Sequence, residues 1–122
     1  NWEQTGPMGL PFPRSERNAA FLGILTYSYA LGIYPTRDII HRLVKDKGGH
    51  ALALMGLNAA TLRRFRRAFR RLLAQCLTTV LEASTQSRDR WAVFSGALAA
   101  EAERRIGLAM DWDADPLDTA RL

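Results

Sequence analysis

Residues 61–71 read TLRRFRRAFRR, six arginines in eleven positions. Guanidinium groups are permanent cations with a planar donor fork, so the chemistry they offer is recognition of phosphate or carboxylate. Their spacing matters as much as their number. At ~100° per residue, Leu62, Phe65, Phe69, Leu72, Cys76 and Val80 fall on one helical stripe. Arg63, Arg64, Arg67, Arg70 and Arg71 lie on the flank and back of it. Arg66 sits nearer the apolar edge, where burial against a carboxylate or carbonyl is expected. No acid lies between Asp46 and Glu82. Like charges three or four apart on a helix cost about 0.2–0.5 kcal/mol per pair, so an unrelieved run points to an external anion. The plainer alternative is a solvated basic face.

Other constellations are weaker. His41 and His50 have no Cys or acid at metal-ligand spacing. Asp111, Asp113 and Asp115 start like a calcium loop, but the required glycine and closing glutamate do not follow. They read as a solvated tail. Cys76, the one cysteine, excludes an internal disulfide, reads as a small core residue and suits a reducing cytoplasm. No nucleophile constellation, paired acid and base, or phosphate loop is visible, so neither catalysis nor a cofactor is expected.

The charge is divided along the chain. The 122 residues carry +5 overall, with 48% hydrophobic residues, a composition suited to one folded domain. Residues 14–71 hold twelve Lys or Arg against three acids, a net +9; residues 72–122 hold five against eight, a net −3. A basic first half is expected to face a polyanion. The apolar run over residues 19–33 is too short and too polar to span a bilayer. Coming after a proline-rich start, it does not read as a signal peptide either.

The elements that must position these groups are all helical. Residues 1–13 form an irregular leader rich in Pro and Gly. A first helix, ERNAAFLGILTYSYAL, has apolar residues on nearly all sides, as a buried central helix does. Ser15 is its candidate N-cap and Gly32 its C′ residue. Pro35 and Thr36 open a second helix, with Thr36 as N-cap, and Lys47, Gly48 and Gly49 stop it. A short helix over 50–55, a turn at Gly56–Leu57 and an Asn58 cap lead into a long helix over 59–84. A last helix is expected over 88–110, with Trp91, Phe94, Leu98 and Ile106 on its apolar side. An acidic tail over 111–122 comes after it. The expected fold is a small all-α domain over 14–110, with four main helices and one short one. Residues 50–71 have the outline of a helix-turn-helix unit. In that frame Thr61, Arg63, Arg64 and Arg67 occupy the groove-facing end, while Arg70 and Arg71 track backbone phosphates.

With these residues in view, the chain over 11–82 resembles the N-terminal helical domain of bacterial insertion-sequence transposases of the DDE class. Three blocks carry the likeness. Pro11-Phe12-Pro13-Arg14 resembles the family's proline-bearing entry. YSYALGIYPTRDI resembles its tyrosine-rich first helix, glycine, and threonine–arginine opening of the second. HALALMGLNAATLRRFRRAFRRLL resembles its short helix, loop and T-x-x-x-F-R-R helix, here Thr61, Phe65, Arg66 and Arg67. Asn58-Ala59-Ala60 departs from the Asp or His with Ser that family members often carry there. The resemblance implies double-stranded DNA as partner and adds Arg37 to the DNA-binding candidates. It also implies a bacterial cytoplasmic, nucleoid setting. The family's catalytic RNase H-like domain, with three carboxylates holding two metal ions, has no counterpart in this sequence. The chain starts at Asn1, not Met, which reads either as a fragment of a longer product or as a chain whose first residues are missing; a catalytic domain in a longer chain is one expected partner. The alternative is a transposase-derived adaptor or regulator that docks an acidic protein or forms a homodimer.

Overall fold

The computed structural model describes residues 16–47, 56–84 and 96–114, all of it helix and connecting turn. The all-α expectation holds. Among the described residues there are five helices: α1 Glu16–Leu31, α2 Thr36–Lys47, α3 Ala59–Ala68, α4 Arg70–Ser84 and α5 Ala97–Asp113. None is long and apolar enough to cross a membrane. The leader, the Ser15 cap, the short helix over 50–55 and the contacts of Trp91 and Phe94 lie outside the described residues.

The largest pairing is α4 against α5, and α1 packs across α4, α3 and α5. From α1 the core takes Phe21, Leu25 and Tyr29, four residues apart and each 1% exposed or less. This spacing puts them on one face. The opposite side is open: Tyr27 is 67% exposed and Leu31 53%. So α1 is central on one face only, and the all-round burial expected from its composition is corrected.

Gly32 ends α1 as its spacing predicts. It takes φ +85°, its N–H donates to Tyr29 O, and Ile33 N–H donates to Ser28 O at 2.9 Å. This is the Schellman pattern, in which a left-handed residue lets two orphan carbonyls find donors. A side chain of α5 adds donors to two carbonyls of this last turn. Arg105 Nη1 donates to Tyr29 O and Ala30 O at 2.9 and 3.0 Å.

Three expectations about element limits are corrected. The helix over 59–84 is two helices, divided at Phe69 (φ −117°, ψ 28°). The bend sits beside the stacked Phe65 and Phe69 rings, whose centroids are 4.6 Å apart. It also re-phases α4, so Leu73, Leu77 and Leu81 are buried, while Cys76 and Val80 are only half-buried. The helix over 88–110 does not run through Gly96, which takes φ +78° immediately before α5. And α5 continues to Asp113, three residues into the expected tail.

Within α5, Glu101 accepts from Arg104 Nε and Nη2 at 2.8 and 2.7 Å and from Arg105 Nε at 2.7 Å. The Arg104 hydrogen bonds, then those of Arg105, hold its carboxyl at about 2, down from 4.5. A carboxylate depressed on folding contributes stability that is complete above its unfolded value and lost as the proton binds. Glu101 therefore contributes fully above pH 4.5 and loses its contribution between 4.5 and about 2. Because Glu101 also aims Arg105 at the end of α1, acid should loosen that cap as well. Urea midpoints measured down the acid range should fall less steeply in Glu101→Gln than in the wild type. Superimposable acid profiles would show that the carboxylate is not coupled to folding.

Candidate nucleic-acid interface

The arginine helix is held by the turn that precedes it and the core beneath it. Gly56 turns the chain at φ +74°. A side chain there would be strained and would meet Arg17 Nη1 at 3.5 Å. Asn58 then caps α3 as its type and position predict. Thr61 N–H donates to Asn58 Oδ1, and Asn58 N–H donates to Thr61 Oγ1, both at 3.0 Å. This is a capping box with Thr61 in the place of the usual Glu or Gln. Leu57, Leu62, Phe65 and Phe69 are buried, and Phe21 meets the Phe65 ring edge-on at 6.0 Å. With the inward side fixed this way, the arginines of α3 have defined directions.

They do not form one patch. Arg66 turns inward. Its side chain is 9% exposed and forms an ion pair with Asp113 Oδ2 at 2.6 Å, while the Asp113 side chain is 7% exposed. The same Nη1 donates to Tyr29 Oη at 3.1 Å. Asp113 in turn accepts from Thr36 N–H at 3.0 Å and Thr36 Oγ1–H at 2.6 Å. Four helices thus meet in one polar network. Burial raises the Tyr29 phenol above its ordinary value, against the lowering effect of Arg66. The inward reading of Arg66 is borne out. Two others are corrected: Asp113 is a buried counter-ion rather than a tail acid, and Thr36 is not an N-cap. The Asp113 carboxylate supplies that cap, at the end of α2 where a negative charge suits the helix dipole.

The remaining candidates are spread around the bend. Arg63, Arg66, Arg67 and Arg70 line a cavity of about 120 Å³ closed by Met110. Arg64 lies on another side, lining a cavity of about 180 Å³ with Arg17, Asn18 and Phe21. Arg71 lines a third, of about 220 Å³, with Gln75, Thr78 and Glu103. Arg70 is engaged from α5: Nη2 lies 3.5 Å from Glu103 Oε1, and Nη1 is 3.1 Å from Met110 Sδ. With the two side chains 42% and 53% exposed, that pair contributes little to stability. Arg63, Arg64, Arg67 and Arg71 have no acidic partner among the described residues. Thr61 is committed elsewhere, since its hydroxyl donates to Gly56 O at 2.8 Å. Arg37 is exposed in the first turn of α2. It follows Thr36, which shares Asp113 with Arg66, so the start of α2 lies beside the arginine helix.

Two residues join this surface that the linear pattern did not single out. Arg17 sits 5.7 Å above the Phe21 ring and shares a cavity with Arg64. Met110 forms a wall of the Arg63–Arg67 cavity. A basic residue at the start of a helix and a methionine near the end of another carry no sequence signal for such roles. Cys76 is half-buried, and burial raises its thiol above the ordinary value, away from reactive thiolate character. Compared with protein-family models, curated proteins and solved structures, the chain has no significant match.

Proposed function

We propose that this chain is a DNA-binding module of the transposase N-terminal type, engaging duplex phosphates through its arginine helix and carrying no catalytic activity of its own. One observation supports this reading above the others. Four arginines, Arg63, Arg64, Arg67 and Arg71, lack acidic partners among the described residues, although α5 supplies acids to Arg66 and Arg70 next to them. The fold neutralises the cations it buries or ties down and leaves the others to an outside anion. A bacterial nucleoid is the setting such a module would act in, with a catalytic domain supplied by a longer chain.

The test is duplex binding by fluorescence anisotropy across a salt series. Each neutralised phosphate lowers log K by about 0.9 per decade of salt, so four contacts predict a slope of about −3.6. A slope near zero, or no binding at low salt, would sink the proposal.

A second reading is an adaptor that binds an acidic protein or a second copy of itself. What favours it is the open apolar surface near the end of α5, where Trp112 is 56% exposed and Met110 40%. Concentration-dependent dimerisation in sedimentation, without affinity for DNA, would support it over the first.

A further inference from the structure

We propose that the cavity bounded by Arg63, Arg66, Arg67, Arg70 and Met110 is a binding site for a phosphate dianion, of the class of orthophosphate or a phosphate monoester. The site rests on the same basic surface as the DNA reading, but its own support is the cavity.

Three features converge on that ligand. The first is charge. Four arginines line a space of about 120 Å³, with no acid among its described lining residues. Asp113 neutralises Arg66 from behind at 2.6 Å, and Glu103 stands 3.5 Å from Arg70 at the side. Arg63 and Arg67 have no such partner among the described residues. The balance of four cations against two anions is +2, which a dianion meets and a phosphodiester or a carboxylate only half meets.

The second is preorganisation. Arg66 is held by Asp113 and Tyr29, while Arg70 is guided more weakly, by Met110 Sδ and an exposed pairing with Glu103. Arg63 and Arg67 are one turn apart on α3 and both line the cavity, so they approach it from the same face. Fixed guanidinium forks match the terminal oxygens of phosphate and lose less side-chain freedom on binding it. The third is the Met110 wall. Met110, though 40% exposed, covers part of one side with apolar surface, and charge pairing strengthens as the local dielectric falls.

The test is titration of the whole chain with orthophosphate, methyl phosphate and dimethyl phosphate, monitored by phosphorus NMR at constant ionic strength. The pH is kept well above the monoester's second pKa of about 6. Orthophosphate and methyl phosphate should bind, with dimethyl phosphate about tenfold weaker. Arg63→Gln and Arg67→Gln should each weaken orthophosphate by about tenfold, the loss of one charge-assisted contact. Arg71→Gln, outside the cavity, should leave it unchanged. Circular dichroism on each variant checks that the helices persist.

A duplex with and without a 5′-phosphate identifies the source of the ligand. Tighter binding of the phosphorylated duplex assigns the cavity to a nucleic-acid end, and equal binding assigns it to free phosphate or a small monoester. Absence of orthophosphate binding, or binding untouched by Arg67→Gln, overturns the site while leaving duplex binding to stand on its own test. Orthophosphate binding without duplex binding would keep the site and discard the DNA reading.

Discussion

Replacing Asp113 by alanine is expected to destabilise the fold by about 3–5 kcal/mol, the usual cost of removing one partner from a buried ion pair. That is a large part of the 5–15 kcal/mol by which a domain is typically stable. The reason lies in the groups Asp113 leaves behind. Arg66, with a side chain 9% exposed, would keep its charge without a counter-ion. Thr36 would lose the acceptor of both its N–H and its hydroxyl. Asp113→Asn should fall between, because an amide oxygen can still accept from Thr36 while the charge on Arg66 goes unmet. Urea midpoints for the three proteins give the ordering directly. A change within about 0.5 kcal/mol, the range of ordinary surface substitutions, would show that the network is not a structural centre.

The same network predicts a reversal. A buried ion pair replaced as a unit by apolar residues of similar volume is often neutral or stabilising. Arg66→Met with Asp113→Leu should therefore cost less than Asp113→Ala alone. It should still cost something, since the Thr36 N–H and hydroxyl lose their acceptor, as they do in Asp113→Ala, and the Tyr29 hydroxyl loses its donor. If the double variant is worse than the single, the pair contributes more than the removal of its own desolvation.

What could be read in the sequence divides by distance along the chain. Gly32 at the end of α1 and Asn58 at the start of α3 are local devices, decided within a few residues, and both take the predicted conformations. The inward turn of Arg66 comes from its phase relative to Leu62, Phe65 and Phe69, which is also local. Its partner is not local. Asp113 is 47 residues away and stands among other aspartates after the predicted end of the helix, where composition alone reads as a solvated tail. The role of Thr36 is hidden for the same reason, because its cap comes from a carboxylate 77 residues away. The break at Phe69 has no Pro or Gly to announce it. Phe65 and Phe69, four apart, share a face of an unbroken helix as readily, so neither spacing nor propensity signals the break. The acids that meet Arg66 and Arg70 also come from α5, so only part of the charge in the run is left unrelieved.

Charge reversal at Arg67 and Arg71 is expected to abolish duplex binding without harming the fold, and the separation of the two effects makes it a sharp test. Both residues are exposed and without acidic partners among the described residues, so neither substitution opens the core. Glu and Arg have similar helix propensities. A glutamate at 67 also turns the repulsion from Arg63, one turn earlier, into attraction, a gain of about 0.4–1 kcal/mol. Stability should hold, since a glutamate at 71 beside Glu103 offsets that gain. Binding should fall by at least about a hundredfold at low salt, from two lost charge-assisted contacts of about 1.5–3 kcal/mol each. The salt slope should fall by about 1.8, at 0.9 per phosphate. Arg66 is the wrong residue for this test: removing it would lower stability and binding together, and the loss of binding would say nothing about contact with DNA. A charge-reversed protein that keeps its thermal midpoint and still binds within about threefold of the wild type, a difference of less than one charge-assisted contact, would place the binding surface elsewhere. The unpaired arginines would then be what their composition first allows, a solvated face.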